Sequence, residues 1–332
     1  MPPVTELITH LLNGLVLGLL YAVIALGFML ILGTMEVINF GHGALFALGG
    51  YFALALQPHV GWWAALGLAP LGVGLIGLLL EFGVRRTYGR DPLFGLLFTF
   101  GAALAVEELI RIVWGSRGYT ISAPAFVAGP FQAGFFFYSK YRVLVAVLAV
   151  LLLGAVWWFL DRTPYGAIVK AGAHDSEMVR ALGIDLARVR NLVFGLGTFM
   201  AGIAGVIAAP MWSLKPTIGA EAVMPAFIVV VIGGIGSFWG AILGGLMVGL
   251  VSALSNLVVP RGSVLVMYLL LAVVLLWRPR GLMGQKSMLE LYCDRSSPRG
   301  LRRPCWACSP CSSSCRHSSP GSAATPTWAR RS

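Results

Sequence analysis

Two polar residues, Asn39 and His42, lie about one helical turn apart in a stretch that is otherwise apolar. Gly41 and Gly43 flank His42, and glycines at this density interrupt a membrane helix, so that polar groups become available to a solute. An ionisable residue inside a membrane is a candidate functional site. Two roles for His42 are open. It can be a proton relay, or a packing residue whose ring bonds a neighbouring backbone carbonyl, and we favour the second.

A second glycine-rich stretch lies inside the long apolar segment Val223–Val259. Its glycines predict a broken, re-entrant pair of half-helices, although close helix packing through small residues is an alternative that can hold at the same time. Glycine-interrupted segments in both halves of a chain point to a substrate site in transporters built from repeats. The predicted substrate-pathway residues are Asn39, Gly41, His42, Gly43, Gly233, Gly234, Gly236 and Ser237.

A polar island, residues 161–190, separates two apolar runs and carries most of the charges in the middle of the chain. Thr163-Pro164 predicts a helix start and Gly172 its end, while Ser176 predicts a second short helix that stops at Gly183. Asp185 then predicts the cap of the next apolar helix. A helical hairpin of this kind is more than a loop needs, so we interpret it as a cytoplasmic surface that another protein binds. The alternative is a solvated basic loop that only sets the topology.

The composition excludes a soluble globular protein, because only 11% of the 332 residues are charged, 58% are hydrophobic and the mean hydropathy is +0.84. Soluble domains carry about 25% charged residues. The net charge of +11 does not indicate nucleic acid, since the arginines are scattered at the ends of apolar runs, where they set orientation and contact membrane lipid.

Catalytic motifs are not found in the sequence. It has no phosphate-binding Gly-x-x-x-x-Gly-Lys, no Gly-x-Ser-x-Gly and no His-Glu-x-x-His, and its five histidines are too dispersed for a metal site. We therefore predict no enzymatic activity, no catalytic residue, no metal and no cofactor in this chain.

About eight hydrophobic segments predict an all-α, polytopic helical membrane protein that includes broken or re-entrant helices. The segments are Leu11–Leu32, Val37–Leu56, Trp62–Val84, Leu93–Trp114, Val143–Leu160, Leu192–Met211, Val223–Val259 and Val264–Trp277.

The positive-inside rule places three basic regions in the cytoplasm and the stretch Ser116–Ser139 outside. These regions are Arg85 to Arg90, the polar island, and Arg278 with Arg280. The segment Val223–Val259 must then cross twice, or enter and return.

The carboxylates of the apolar region are predicted to lie near the interfaces. Glu81 can pair with Arg85 on the surface, and Glu107 can pair with Arg111. In this interpretation no aspartate or glutamate lies deep in a span. That argues against the main alternative function, a stand-alone secondary transporter or channel, which would need such a residue for its coupling ion.

The tail, residues 285–332, has a different composition, rich in Arg, Ser, Pro and Cys without an apolar period. All five cysteines follow Tyr292, and Cys305-x2-Cys308-x2-Cys311-x3-Cys315 has the spacing of an iron–sulfur motif. Arg316 stands where that motif has proline, so we predict no cluster. The composition resembles out-of-frame translation of a GC-rich gene, and we expect a disordered tail.

Several stretches together resemble one family. They are Asn13-Gly14-x3-Gly18-x2-Tyr21-Ala22-x-Ile24-Ala25-x-Gly27, Ile38-Asn39-Phe40-Gly41-His42-Gly43, Ala171–Asp185, Gly233–Ser237 with Gly240-Ala241, and Arg278-Pro279-Arg280-Gly281-Leu282. Over about residues 7–284 the chain is similar to the inner-membrane permease subunit of ABC importers for branched-chain (hydrophobic) amino acids, of the first-permease type. The tail departs from the family.

The resemblance implies a permease domain over residues 1–284 that forms the translocation pathway in a bacterial inner (plasma) membrane. It implies four kinds of partner: a second permease as hetero-dimer, two cytoplasmic ATPase subunits that use ATP, a periplasmic or lipid-anchored substrate-binding protein, and membrane lipid. The island then matches the coupling loop of the family, residues 161–190. The implied ATPase-coupling residues are Lys170, Ala171, His174, Asp175, Glu177, Met178, Arg180, Leu182 and Gly183.

Overall fold

The computed structural model describes residues 4–35, 37–88, 91–127, 129–133, 136–174, 176–258, 262–278 and 281–284. Asp175, Arg90, Arg280 and the whole tail with its cysteines lie outside the described residues. The elements are α1 (Val4–Met35), α2 (Gly41–Val84), α3 (Pro92–Trp114), β1 (Pro130–Ala133), β2 (Phe136–Ser139), α4 (Lys140–Arg162), α5 (Pro164–His174), α6 (Ser176–Ala181), α7 (Leu186–Ala208), α8 (Ile218–Gly233), α9 (Phe238–Val258) and α10 (Ser263–Trp277), with single 3₁₀ turns at Arg85–Thr87 and Ala125–Val127.

The helical membrane fold is confirmed. In the described part of the chain six helices are long and apolar enough to cross a membrane, and α8 and α10 are shorter apolar helices. One element was not predicted: β1 and β2 form a short antiparallel hairpin, with Phe131 opposite Tyr138, inside the stretch that the sequence placed outside.

Helix α2 consists of two helices, α2a (residues 41–60) and α2b (residues 62–84), as the two separate apolar runs predicted. They join at Gly61, whose φ of 80° and ψ of 168° are not helical. Phe52 in α2a lies 3.1 Å from the position that a Cβ would take at Gly72 in α2b, so the two helices fold back on each other. Glycine is required at the join because other residues rarely adopt a positive φ.

The predicted basic regions lie at one end of the helices. Arg85 and Arg190 line a common cavity, and the end of α1 at Met35 accepts a hydrogen bond from Tyr88. The chain after Arg278 returns to the end of α8, where Leu282 N donates to the carbonyl of Ile232 at 2.7 Å. The positive-inside rule predicts that this end faces the cytoplasm, and it is called the cytoplasmic end below.

The opposite end is held by hydrogen bonds between segments far apart in the chain. Tyr141 Oη at the start of α4 donates to the carbonyl of Ile207 at 2.7 Å, and Tyr119 exchanges two backbone hydrogen bonds with Leu214. Arg142 donates to the Oδ1 of Asn13 at 2.5 Å. Helix α1 therefore begins at the end opposite the basic regions, which is called the outer end below.

The centre of the molecule is formed by α1 and α7, which are far more buried than the other spans (83% and 72% of their apolar windows, against 17–44%). Glycines let the helices approach closely: a Cβ at Gly27 would lie 2.8 Å from the carbonyl oxygen of Gly197, and one at Gly18 would lie 2.8 Å from that of Gly245. The predicted packing through small residues is thus confirmed, and it coexists with broken helices.

The order α1, α2a, α2b recurs as α7, α8, α9 in the opposite orientation, since α1 ends at the cytoplasmic end and α7 begins there. Helix α1 packs against α9 as α2 packs against α7. Two glycine pairs, Gly27 with Gly197 and Gly43 with Gly219, join corresponding helices of the two halves reciprocally. The arrangement is that of an inverted repeat.

Candidate functional site

The first part of the candidate site is the crossing of two helix starts, α2a and α8. A Cβ at Gly43 would lie 2.3 Å from the carbonyl oxygen of Gly219, and a Cβ at Gly219 would lie 2.4 Å from that of Gly43. Backbones in such close contact require glycine on both sides. Both helices begin here after non-helical segments, residues 37–40 and 209–217.

Asn39 and His42 are held at this crossing, 2% and 0% exposed. His42 Nε2 lies 3.1 Å from the carbonyl oxygen of Ile24, which confirms the predicted packing role, and its ring packs edge-on against Phe28 at 5.7 Å between centroids. Among the described groups, Asn39 Nδ2 and His42 Nδ1 have no hydrogen-bond partner. Two buried polar atoms are therefore left for a further partner, because unsatisfied buried polar groups are costly.

Thr99 on α3 was not predicted and positions this segment. Its side chain is 2% exposed; Oγ1 donates to the carbonyl of Ile38 at 3.0 Å and accepts from Phe40 N at 3.3 Å. The signal in the sequence is weak, since a single threonine in an apolar helix can also bond its own backbone, as Thr99 does to Leu96.

The second group of predicted pathway residues forms the turn between α8 and α9. Gly234 and Gly236 have φ of 97° and 84°, and Ser237 Oγ accepts from Gly240 N at 3.1 Å at the start of α9. The predicted break is confirmed, but the predicted pair of half-helices is wrong: α8 has 16 residues, whereas α9 has 21 and is long enough to span the membrane by itself.

That turn does not meet the first group. A Cβ at Gly33, two residues before the end of α1, would lie 3.9 Å from Gly236 Cα, whereas His42 contacts α1 at Gly27. Six helical residues separate these levels by about 9 Å. The structure therefore brings Asn39, Gly41, His42 and Gly43 together and places Gly233, Gly234, Gly236 and Ser237 at the cytoplasmic end. The structural counterpart of Asn39–Gly43 is the start of α8, not this turn.

The polar island forms α5 and α6, and most of the predicted helix starts and ends are confirmed. Thr163 Oγ1 accepts from Gly166 N at 3.2 Å, Asp185 Oδ1 accepts from Ala187 N at 3.0 Å, and Gly183 ends α6 with φ of 79°. The stop predicted at Gly172 is wrong, because α5 continues to His174.

The backbone places the predicted coupling residues Lys170, Ala171 and His174 in α5, and Glu177, Met178 and Arg180 in α6. Lys170 forms an ion pair with Asp161. Val169 and Val179 are buried, whereas Met178 and Leu182 are 60% and 71% exposed. The hairpin thus has one face on the protein and an apolar patch directed outwards.

A cavity of about 500 Å³ lies between the connection from α6 to α7 and the segment that follows α2b, and it is lined by Arg85, Tyr88 and residues 183–187 and 190. Beside it, Glu81 is 2% exposed and accepts a hydrogen bond from Tyr88 Oη at 3.4 Å. When the side-chain amide of Asn191 is oriented with its nitrogen towards the carboxylate, it also donates to Glu81 at 2.8 Å. The guanidinium of Arg190 covers the Tyr88 ring at 5.0 Å. The predicted surface pair of Glu81 with Arg85 is therefore wrong, because α7 supplies a closer partner and buries the carboxylate.

The same contacts keep Tyr88 protonated. Burial, followed by the neighbouring Glu81 carboxylate, raises the pKa of the Tyr88 phenol, whose single O–H lies within reach of two acceptors, Met35 Sδ at 3.0 Å and Glu81 Oε1 at 3.4 Å. The ends of α1, α2b and α7 are thereby tied together beneath the hairpin.

At the outer part of α3, Arg111 forms ion pairs with Glu107 at 3.1 Å and with Glu108 at 2.7 Å, and these side chains are 24–56% exposed. The predicted pair is confirmed. In the described part of the chain no group of three or more His, Cys, Asp or Glu side chains could hold a metal ion.

The fold and the site define a multi-pass membrane protein in which two helices, α2a and α8, begin at a glycine crossing. Residues 10–275 match the family described as branched-chain amino acid transport system, permease component, and the chain belongs to this family.

Three relatives illustrate the similarity. The chain is 29% identical to the high-affinity branched-chain amino acid transport system permease protein BraD of Pseudomonas aeruginosa, over 86% of this chain and 98% of BraD. It is 30% identical to LivH of Escherichia coli K12, over 82% of this chain and 94% of LivH. It is also 29% identical to LivM of the same organism, over 80% of this chain and 68% of LivM. LivH and LivM are both named as permease proteins of a high-affinity branched-chain amino acid transport system.

Proposed function

We propose that this chain is a permease subunit of an ABC importer for branched-chain or related hydrophobic amino acids in a bacterial inner membrane. Membership of the permease family carries the proposal. Similarity to both LivH and LivM supports a second permease subunit as the partner in the membrane. ATP is used by separate subunits, and a binding protein delivers the substrate.

The α5–α6 hairpin is the proposed docking surface for an ATPase subunit. Met178 and Leu182 lie one helical turn apart at the cytoplasmic end and are exposed, an arrangement typical of an anchor that inserts into a groove. Two exposed ion pairs, Lys170 with Asp161 and Arg188 with Asp185, add charges at the two ends of the polar island.

Force on this hairpin can reach the spans through short connections. Thr163 joins α5 directly to the end of α4, and Gly183 with Asp185 joins α6 to the start of α7. Because α7 is packed through glycines against α1 and α2, a displacement of its cytoplasmic end moves the central helices together. The Glu81–Tyr88–Asn191 cluster links that same end to α1 and α2b.

The docking role is tested by replacing Met178 and Leu182 together with aspartate. We expect the ATPase subunit to be lost from the purified complex, since the two charges would be buried in an apolar contact. Phe131→Asp is the matched control: Phe131 is a 54% exposed apolar residue on the outer hairpin. Normal ATPase copurification with the double variant would refute the docking surface.

The transport role is tested in proteoliposomes that contain the whole complex and the binding protein. We expect leucine to accumulate against its gradient only with ATP. Accumulation by this chain without ATPase subunits would overturn the proposed function.

A further inference from the structure

Helix α8 carries one charged residue, Glu221. This residue lies on the one face of α8 that no other described part of the chain covers. Thr217, Ala220, Glu221 and Met224 are exposed and follow the spacing of a single helix face. The other side of α8 packs against α1, α2, α9 and α10. The sequence predicted that this segment begins at Val223; because the helix starts at Ile218, Glu221 is part of it, and the expectation that no carboxylate lies deep in a span does not hold for this residue. Family membership, not the absence of such a residue, therefore argues against a stand-alone transporter.

The contacts of α8 place Glu221 near the middle of the membrane. Gly219, two residues earlier, touches Gly43, and the adjacent His42 bonds Ile24 of α1. Ile24 lies eight residues before Leu32, the end of the apolar run, which corresponds to about 12 Å along the helix. The hydrocarbon core is about 30 Å thick, so this crossing is at mid-depth.

A carboxylate at that depth cannot face lipid without a large cost, about 2.5–3.5 kcal/mol even on the lowest scales. Among the described residues no basic side chain forms an ion pair with Glu221. Gly43 of α2a is contacted by Gly219 and Val223, which lie on the opposite face of α8 from Glu221. Charged residues within a membrane span face protein or a water-filled cavity rather than lipid, so the open face of α8 has to border a polar space.

We propose that this face lines the translocation pathway and that the Glu221 carboxylate binds the ammonium group of the transported amino acid. The inference rests on the proposed function. An ammonium group and a carboxylate form charge-assisted hydrogen bonds, which are stronger than hydrogen bonds between neutral groups, and a medium of low dielectric constant strengthens them further. Met224, 43% exposed and one turn further along the same face, offers a flexible apolar contact for an aliphatic side chain.

The first test compares leucine uptake by complexes that carry Glu221→Gln, Glu221→Asp or the control Glu108→Gln, an exposed carboxylate of α3. We expect Glu221→Gln to lower the maximal uptake rate about tenfold, as loss of one charged hydrogen bond implies, with assembly and basal ATP hydrolysis unchanged. Glu221→Asp should restore part of the rate, and Glu108→Gln should behave as wild type.

The second test uses a chain whose five cysteines are replaced by serine and which carries Glu221→Cys. In the assembled complex this cysteine should react with a water-soluble, membrane-impermeant thiol reagent, and leucine-loaded binding protein should slow the reaction. Absence of reaction would overturn the inference, and so would a wild-type uptake rate for Glu221→Gln. Failure of Glu221→Gln to assemble would also overturn it, because Glu221 would then be a subunit contact. If the wild-type complex itself takes up no leucine, the proposed function fails instead.

Discussion

Replacing Gly43 with alanine should force apart α2a and α8 where they cross. The new Cβ would lie 2.3 Å from the carbonyl oxygen of Gly219 and 2.9 Å from its carbonyl carbon. Both are backbone atoms that cannot rotate away, so α2a and α8 must separate by about 1 Å to reach ordinary contact, which weakens their dispersion attraction. Overpacking of this kind costs about 1–3 kcal/mol.

The matched control is Gly101→Ala on α3, where a Cβ would meet no atom within 4 Å. This change should be neutral or stabilise by about 0.5–1 kcal/mol, because alanine favours the helix. Thermal denaturation of the full-length chain in detergent measures both variants. We expect a lower midpoint for Gly43→Ala and an unchanged or higher midpoint for Gly101→Ala.

A double variant makes the test sharper. In Gly219→Ala the new Cβ would lie 2.4 Å from the carbonyl oxygen of Gly43, so both substitutions require the same two helices to move apart. The combined loss of stability should therefore be smaller than the sum of the single losses. Strict additivity, or a Gly43→Ala chain as stable as the Gly101→Ala control, would refute the reasoning.

Two further substitutions test other parts of the site. Glu81→Ala should lower the free energy of unfolding by about 1–3 kcal/mol, because Tyr88 and Asn191 lose their buried acceptor. The control Glu108→Ala removes an exposed ion pair worth about 0–1 kcal/mol. Equal losses in the two variants would contradict the buried network. Gly236→Leu should impair folding or uptake through backbone strain of about 1–2 kcal/mol at its positive φ, while Gly236→Asn, which tolerates that conformation, should retain uptake. A Gly236→Leu chain with wild-type stability and uptake would show that the turn is not strained.

Local patterns were enough to predict most of the elements. Apolar run lengths marked the spans and the separation of α2a from α2b, glycine density marked the break at Gly234–Gly236, and Asp185 and Gly183 marked the ends of neighbouring helices. The basic regions predicted which ends lie together. These features depend on a residue and its near neighbours, through backbone freedom, capping and the length of a hydrophobic segment.

Only the tertiary structure decided which interrupted segments meet and which carboxylates are buried. Gly43 and Gly219 are 176 positions apart, and Asn191, which binds Glu81, is 110 positions away. Spacing along one helix favoured Arg85 for Glu81, but packing of α7 against α2b supplied another partner. The depth of a residue in the membrane likewise depends on which helices pack against its own. The contacts of α8 with α2a and α1 place Glu221 at mid-depth beside the glycine crossing, and no local sequence pattern contains those contacts.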